Sequence, residues 1–259
     1  MAEAFFREHD GWLVGNDAAR GPWSADACHA GPVTGALAGC AESVVESKQL
    51  VRLTANFTRP VPMAGFRLEP ELLRDGRATA MVRVDLRDRD DRFCASAECL
   101  FVSEAPNDLP SATLPVPPFD NSSPGHFPVT ETLHGERMFG HFVEIRFPEG
   151  QDGSPGPTSL WMRAPAIVDG EANSAFQTAC PVADCGNGIS RNSEFVNTSC
   201  VNADLTVSLF RLPRSDWILS DSISFWEQNG IGLSHSMLFD RDGPIGTALQ
   251  SLVLRRIRE

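Results

Sequence analysis

The sequence predicts an α+β fold in which one plan, a helix followed by about five antiparallel strands, is written twice. Three observations predict it. Sliding the chain by 152 residues superposes strand-like segments and their turns, a Gly- and Ala-rich helix candidate opens each copy, and a proline-rich stretch separates the copies.

The offset places Arg59 on Arg211, Leu86 on Leu238, Asp88-Arg89-Asp90 on Asp240-Arg241-Asp242 and Leu100 on Leu252, without a gap. In both copies the Asp-Arg-Asp run sits between two strand-like segments. The second continues as Asp242-Gly243, a tight-hairpin signal. The same shift sets Glu98 against Gln250, so each half is expected to keep a hydrogen-bonding side chain at that place.

The first helix is expected to start near Gly31-Pro32, because proline is tolerated in a helix's first turn. Val33, Leu37, Cys40 and Val44 then recur on one face. In the second copy Asn173 is the candidate N-cap, and Phe176, Ala179, Cys180 and Ala183 follow at helical spacing. Gly186 and Gly188 are expected to end that helix.

Ten of the 19 prolines fall between Pro106 and Pro157, a composition that cannot carry regular structure for long. Within it Phe139, His141, Val143, Ile145 and Phe147 alternate with more polar positions, which predicts a strand over 137–147. The expected division is a first domain at 1–105, a linker at 106–136 and a second domain at 137–259.

Composition narrows the function. A net charge of −12 argues against a nucleic-acid or anionic-membrane partner, which needs clustered Lys and Arg. No signal-peptide core opens the chain, and no run approaches the roughly 20 apolar residues of a membrane span. Seven scattered cysteines without C-x-x-C, and no histidine pair at zinc spacing, predict reduced thiols, no structural metal and a cytoplasmic setting.

Common catalytic motifs are missing. There is no Gly-x-Ser-x-Gly nucleophile elbow, no Walker loop, and Gly186-x-Gly188 lacks the third glycine of a dinucleotide site. His29 adjoins Cys28, but sequence neighbours rarely face each other for catalysis, so His29 reads as a structural histidine near a helix start.

Five strings carry a resemblance. His29-Ala30-Gly31-Pro32-Val33-Thr34-Gly35-Ala36-Leu37 is similar to the helix-opening motif of the type II acyl-CoA thioesterases and their thioesterase-like relatives. Phe57-Thr58-Arg59-Pro60 and Leu73-Arg74-Asp75-Gly76-Arg77 resemble that family's next markers. Trp161-Met162-Arg163-Ala164 and Ala248-Leu249-Gln250-Ser251 resemble the start and the last strand of its second half.

The resemblance implies a tandem, or double, hot-dog, each half a long helix wrapped by an antiparallel sheet. It also implies hydrolysis of acyl-CoA or a related acyl thioester, with CoA part of the substrate and no separate cofactor. The family's aspartate, hydroxyl residue and glutamine, which activate a water without a covalent intermediate, fall by position on Asp184, Asn202 and Gln250. Asn202 departs from the pattern, since it has no hydroxyl to relay a proton. Asn202 could still position the water, Thr198, Ser199 or Thr206 could supply the hydroxyl, or the chain could be a weak enzyme or a non-catalytic acyl-CoA-binding protein. A hot-dog hydratase needs a histidine five positions after the aspartate, where Ile189 stands. The resemblance, and sheet edges that need covering, point to a homo-oligomer, a dimer or tetramer.

On their own chemistry, Asp184 opposes the negative end of its helix dipole, and partial burial there makes it a candidate general base. Gln250 lies in a strand among Leu249, Leu252 and Val253, where a buried amide needs partners. Glu42 on the first helix is the other tempting acid and reads as structural. Arg59 and Arg211 could grip CoA phosphates or cap the sheet end.

Overall fold

A computed structural model describes residues 3–110, 114–129, 134–194 and 197–257. The first half runs β1 (Phe6–His9), β2 (Trp12–Gly15), α1 (Ala30–Glu42), β3 (Gln49–Phe57), β4 (Phe66–Asp75), β5 (Thr79–Asp88) and β6 (Phe93–Val102). The second runs β7 (Ser123–Gly125), β8 (Glu144–Phe147), β9 (Thr158–Arg163), α2 (Ala175–Ala183) and α3 (Gly186–Ile189). It then continues through β10 (Thr198–Asn202), β11 (Asp204–Leu209), β12 (Ile218–Trp226), β13 (Ile231–Asp240) and β14 (Gly243–Arg256).

All the named strands join one sheet, ordered β1-β2-β4-β5-β6-β3-β11-β14-β13-β12-β9-β8-β7, with β10 added beside β14. Outward from the central β3–β11 pair, β6, β5 and β4 on one side answer β14, β13 and β12 on the other. Thr54 and Thr206, which are 152 residues apart, meet across that seam with hydroxyl oxygens 3.1 Å apart. Strands β3, β4 and β5 therefore keep the offset read from the sequence against β11, β12 and β13, whereas β6 and β14 do not. The helices do not, since α1 and α2 begin at Ala30 and Ala175, 145 residues apart.

Alternation along each strand drives one sheet face inward. Leu53, Val82, Val84 and Phe101 point in and are fully buried, each contributing roughly 1.5–3 kcal/mol relative to exposure. Helix α1 covers the strands of its own half, and α2 and α3 cover those of theirs. The two long helices also pack on each other, antiparallel and close. A Cβ on Gly31 would lie 2.9 Å from the Cα of Pro181 and 3.1 Å from the Cβ of Asp184, so glycine sets the approach there.

Four local expectations change. Within 137–147 the strand is limited to Glu144–Phe147, because Phe139–His141 forms a 3-10 turn. The α2 N-cap is Ser174, one residue later than expected, with its hydroxyl accepting from Gln177 N–H in a capping box. Asn173 instead accepts from the Ile167 N–H. Gly186 and Gly188 do not end the helical path, since α3 forms a further turn there. The β13–β14 turn falls on Arg241-Asp242, where Asp240 pairs with Gly243.

Candidate active site

Pro181 lies inside α2 and lacks an N–H to continue the helical ladder. The chain tightens just after it, with Cys185 N–H bonded to Val182 O, and α3 restarts at Gly186. Asp184 is the C-cap at this break, and its side chain is buried.

Three side chains meet the Asp184 carboxylate. Asn202 from β10 donates Nδ2 to Oδ1 at 2.9 Å, and Gln250 from β14 donates Nε2 to the same oxygen at 3.1 Å. His29, the N-cap of α1, sets Nδ1 2.9 Å from Oδ2. Gly31 N–H also points at that nitrogen, 3.2 Å away. Nδ1 cannot accept from Gly31 and donate to Asp184 at once. The tautomer of the ring decides which of the two bonds Nδ1 makes.

The structure thus brings Asp184, Asn202 and Gln250 together, although they span 66 residues. Their situations differ. Asp184 and Asn202 line a cavity of about 390 Å³ with His29, Val33 and Phe139. Gln250 does not border it. Its Nε2 serves Asp184 Oδ1 and the Asp184 backbone oxygen (2.9 Å), and its Oε1 accepts from Asn187 N–H at 3.1 Å. Its amide is engaged with protein at both ends. Asn202 also spends Nδ2 on Asp204 O at 3.3 Å, whereas no bond to its Oδ1 occurs among the described residues.

No serine or threonine hydroxyl bonds Asp184 among the described residues. Thr206 is committed to the Thr54 seam, and Ser199 turns to Arg255 O. Cys28, Cys185 and Cys200 line the cavity, but burial pushes the Cys28 and Cys200 thiols up to about 12 and raises that of Cys185 well above the ordinary thiol value. They are poor thiolate nucleophiles near neutral pH.

Sequence reasoning set His29 aside because it compared the residue with its chain neighbour. The partner lies 155 positions on, across the helix pair. Its place just before the Gly-Pro helix start was the available signal, since an N-cap points along the end of its helix.

At the opposite end of the helix pair the arrangement recurs in altered form. Ser174, the N-cap of α2, donates its hydroxyl to Glu42 Oε2 at 2.6 Å, and Glu42 is the last residue of α1. Burial pushes the Glu42 carboxyl up, against the lowering effect of that bond. Each helix therefore ends in a carboxylate that meets the other's N-cap.

Glu98 is not the counterpart of Gln250. Val82 pairs with Cys99, and Ser234, 152 residues later, pairs with Gln250. Cys99 occupies the equivalent place, and Phe101, not Leu100, answers Leu252. The cause is the turn: Asp88 N–H bonds Arg92 O in the first half, whereas Asp240 already pairs with Gly243 in the second. A shift of one residue reverses the faces, so Glu98 points to solvent while Gln250 is buried.

The two matched arginines also part. Arg211 makes a two-pronged ion pair with buried Asp240, 2.6 Å at each oxygen, and so caps the sheet end. Arg59 donates Nη1 to Phe93 O at 2.8 Å and lines the cavity.

Comparison with known proteins accords with this fold. The model of the acyl-CoA thioesterase C-terminal domain matches residues 106–254, and that of the N-terminal domain matches residues 19–102. A structure from Novosphingobium aromaticivorans, provisionally named a thioesterase, is 23% identical, with TM-score 0.73 over 97% of this chain and 98% of its own. The tesB protein of Mycobacterium avium subspecies paratuberculosis is 18% identical, with TM-score 0.69 over 96% and 95%. A protein of unknown function with a hot-dog fold from Alicyclobacillus acidocaldarius is 17% identical, with TM-score 0.70 over 97% and 96%. No curated protein matches the chain in sequence.

The class is therefore a hot-dog-like thioesterase fold, mostly antiparallel sheet with few helices. The chain belongs to the acyl-CoA thioesterase family. Among the described residues no group of side chains could hold a metal ion, and no helix is long and apolar enough to cross a membrane.

Proposed function

We propose that this chain is a double hot-dog, 1–105 and 137–259 joined through 106–136, that hydrolyses an acyl-CoA or related acyl thioester at Asp184. One observation carries the reading: a buried carboxylate, held by Asn202, Gln250 and His29, borders an apolar cavity able to take an acyl chain. A water beside Asp184 gives up a proton to the carboxylate as its oxygen attacks the thioester carbonyl. The tetrahedral adduct then expels the thiolate, and the proton held by Asp184 and His29 returns to it, giving free acid and thiol.

In this reading Asp184 is the base, and Asn202 Oδ1 helps to place the water. Gln250 is a positioning residue, because its amide is spent on Asp184 and Asn187. Arg59 is the arginine available to a CoA phosphate. Cytoplasm suits the unpaired cysteines, since thiols stay reduced there.

The test is thiol release from a panel of acyl-CoAs of graded length. Hydrolysis by the native chain and its loss in Asp184→Asn support the reading; equal hydrolysis by both would overturn it. A second reading, acyl-CoA binding without turnover, is favoured because no hydroxyl among the described residues bonds Asp184. Binding of acyl-CoA with no thiol released would select it.

A further inference from the structure

The segment at 134–139, ahead of β8, packs on the first half. Phe139 N–H bonds Arg20 O at 3.0 Å, Arg20 Nη1 donates to Arg137 O at 2.9 Å, and His134 Nε2 lies 3.0 Å from Gly21 O. These bonds fix the segment against the loop that leads into α1, next to His29. Phe139 is fully buried there and also lines the cavity.

The Phe139 ring lies flat on the His29 imidazole, with centroids 4.2 Å apart and planes 14° apart. Phe5 is parallel to Phe139 at 5.7 Å, and Phe127 meets it edge-on. A flat neighbour at that distance blocks rotation of the imidazole, because a ring turning out of plane would drive an edge into Phe139. The turn it blocks is the one that would carry Nδ1 away from Asp184 Oδ2. At the other end of the helix pair Ser174, which needs no such orientation, takes the N-cap place.

We propose that Phe139, supplied by the irregular segment ahead of β8, is a positioning residue that holds the His29 imidazole in the plane that meets Asp184. This rests on the hydrolase reading of the same site. Its consequence is that the helices and strands do not complete the site without this irregular segment of the second half.

The test compares Phe139→Leu, which keeps apolar bulk but no flat ring, with Phe139→Tyr, which keeps the ring. Circular dichroism and melting confirm that each is folded. In Phe139→Leu, kcat for acyl-CoA falls about tenfold or more while KM changes by about threefold or less, as for loss of alignment rather than of binding. Phe139→Tyr recovers most of that loss.

A kcat unchanged in Phe139→Leu, or a change confined to KM, overturns the proposal and leaves Phe139 as cavity wall. NMR titration of His29 supplies a readout independent of turnover. Its imidazole pKa shifts in Phe139→Leu and returns in Phe139→Tyr; no shift overturns the proposal. If the native chain releases no thiol yet this shift is seen, the hydrolase reading fails and the positioning role stands.

Discussion

Gln250 grips Asp184 twice through one amide nitrogen, at the carboxylate Oδ1 (3.1 Å) and at the backbone oxygen (2.9 Å). A strand near the end of the chain thus fixes both the side chain and the helix turn that presents it. That relationship separates the roles of the two residues.

Asp184→Asn keeps the shape of the cluster but removes the base. We expect kcat to fall by roughly 10²–10⁴, the usual worth of a positioned base, with the fold retained. Steady-state kinetics on the best acyl-CoA of the panel checks this. A loss seen in KM alone would remove Asp184 from the proton-transfer step.

Gln250→Ala is expected to act on stability as well as rate. It strips one bond from Asp184 Oδ1, one from the Asp184 carbonyl and the acceptor of Asn187 N–H. Leaving such buried groups unpaired costs roughly 1–3 kcal/mol. Urea unfolding should show that loss, together with a kcat reduction smaller than that of Asp184→Asn. Its saturated amide makes Gln250 an anchor of the fold as well as a positioning residue.

Gly186→Ala should disturb the same cluster from below. A Cβ there would lie 2.6 Å from Ser236 Oγ, 2.8 Å from Ser234 Oγ and 3.2 Å from Gln250 Oε1. Both serines are buried in the sheet, so α3 must lift instead. The expected outcome is a lower melting temperature and a kcat loss like that of Gln250→Ala. Native behaviour in both assays would show that α3 has slack.

Acid sensitivity should centre in part on Arg211 and Asp240. Burial would raise the Asp240 carboxyl, but the Arg211 hydrogen bonds and the N–H groups of Arg214 and Asp242 outweigh it and hold its pKa low. A carboxyl lowered in the folded state adds stability that is full above the unfolded value, about 3.9, and is lost as pH falls through the folded one. Melting temperature should therefore drop as pH falls below about 4. Arg211→Ala should cost roughly 3 kcal/mol at neutral pH by stranding a buried charge, and should flatten that acid limb.

We also expect self-association through the outer face of β12, β13 and β14. Phe225, Ile231, Leu249 and Val253 stand 54%, 64%, 41% and 40% exposed there. The matching face of the first half carries ion pairs such as Arg83 with Asp85 and Arg87 with Glu69. An apolar face of this kind marks a protein interface. Sedimentation of the native chain should show a dimer or larger species, and Leu249→Glu should shift it toward monomer. A native chain sedimenting as monomer at micromolar concentration would refute this.

The sequence by itself determined the duplicated strand plan. Thr54 meets Thr206 at the offset of 152 because strand alternation and turn residues are local properties that survive in both copies. It also determined the helix starts to within a residue and, through the family resemblance, gathered Asp184, Asn202 and Gln250.

Tertiary structure decided the rest. A turn shorter by one residue moved Gln250 onto Cys99 and reversed the face shown by Glu98, a change that sparse identities cannot register. His29 reached Asp184, and Phe139 reached His29, across separations of 155 and 110 residues. No periodicity records such contacts, because they are set by how closely the two helices pack and by where the segment ahead of β8 is held.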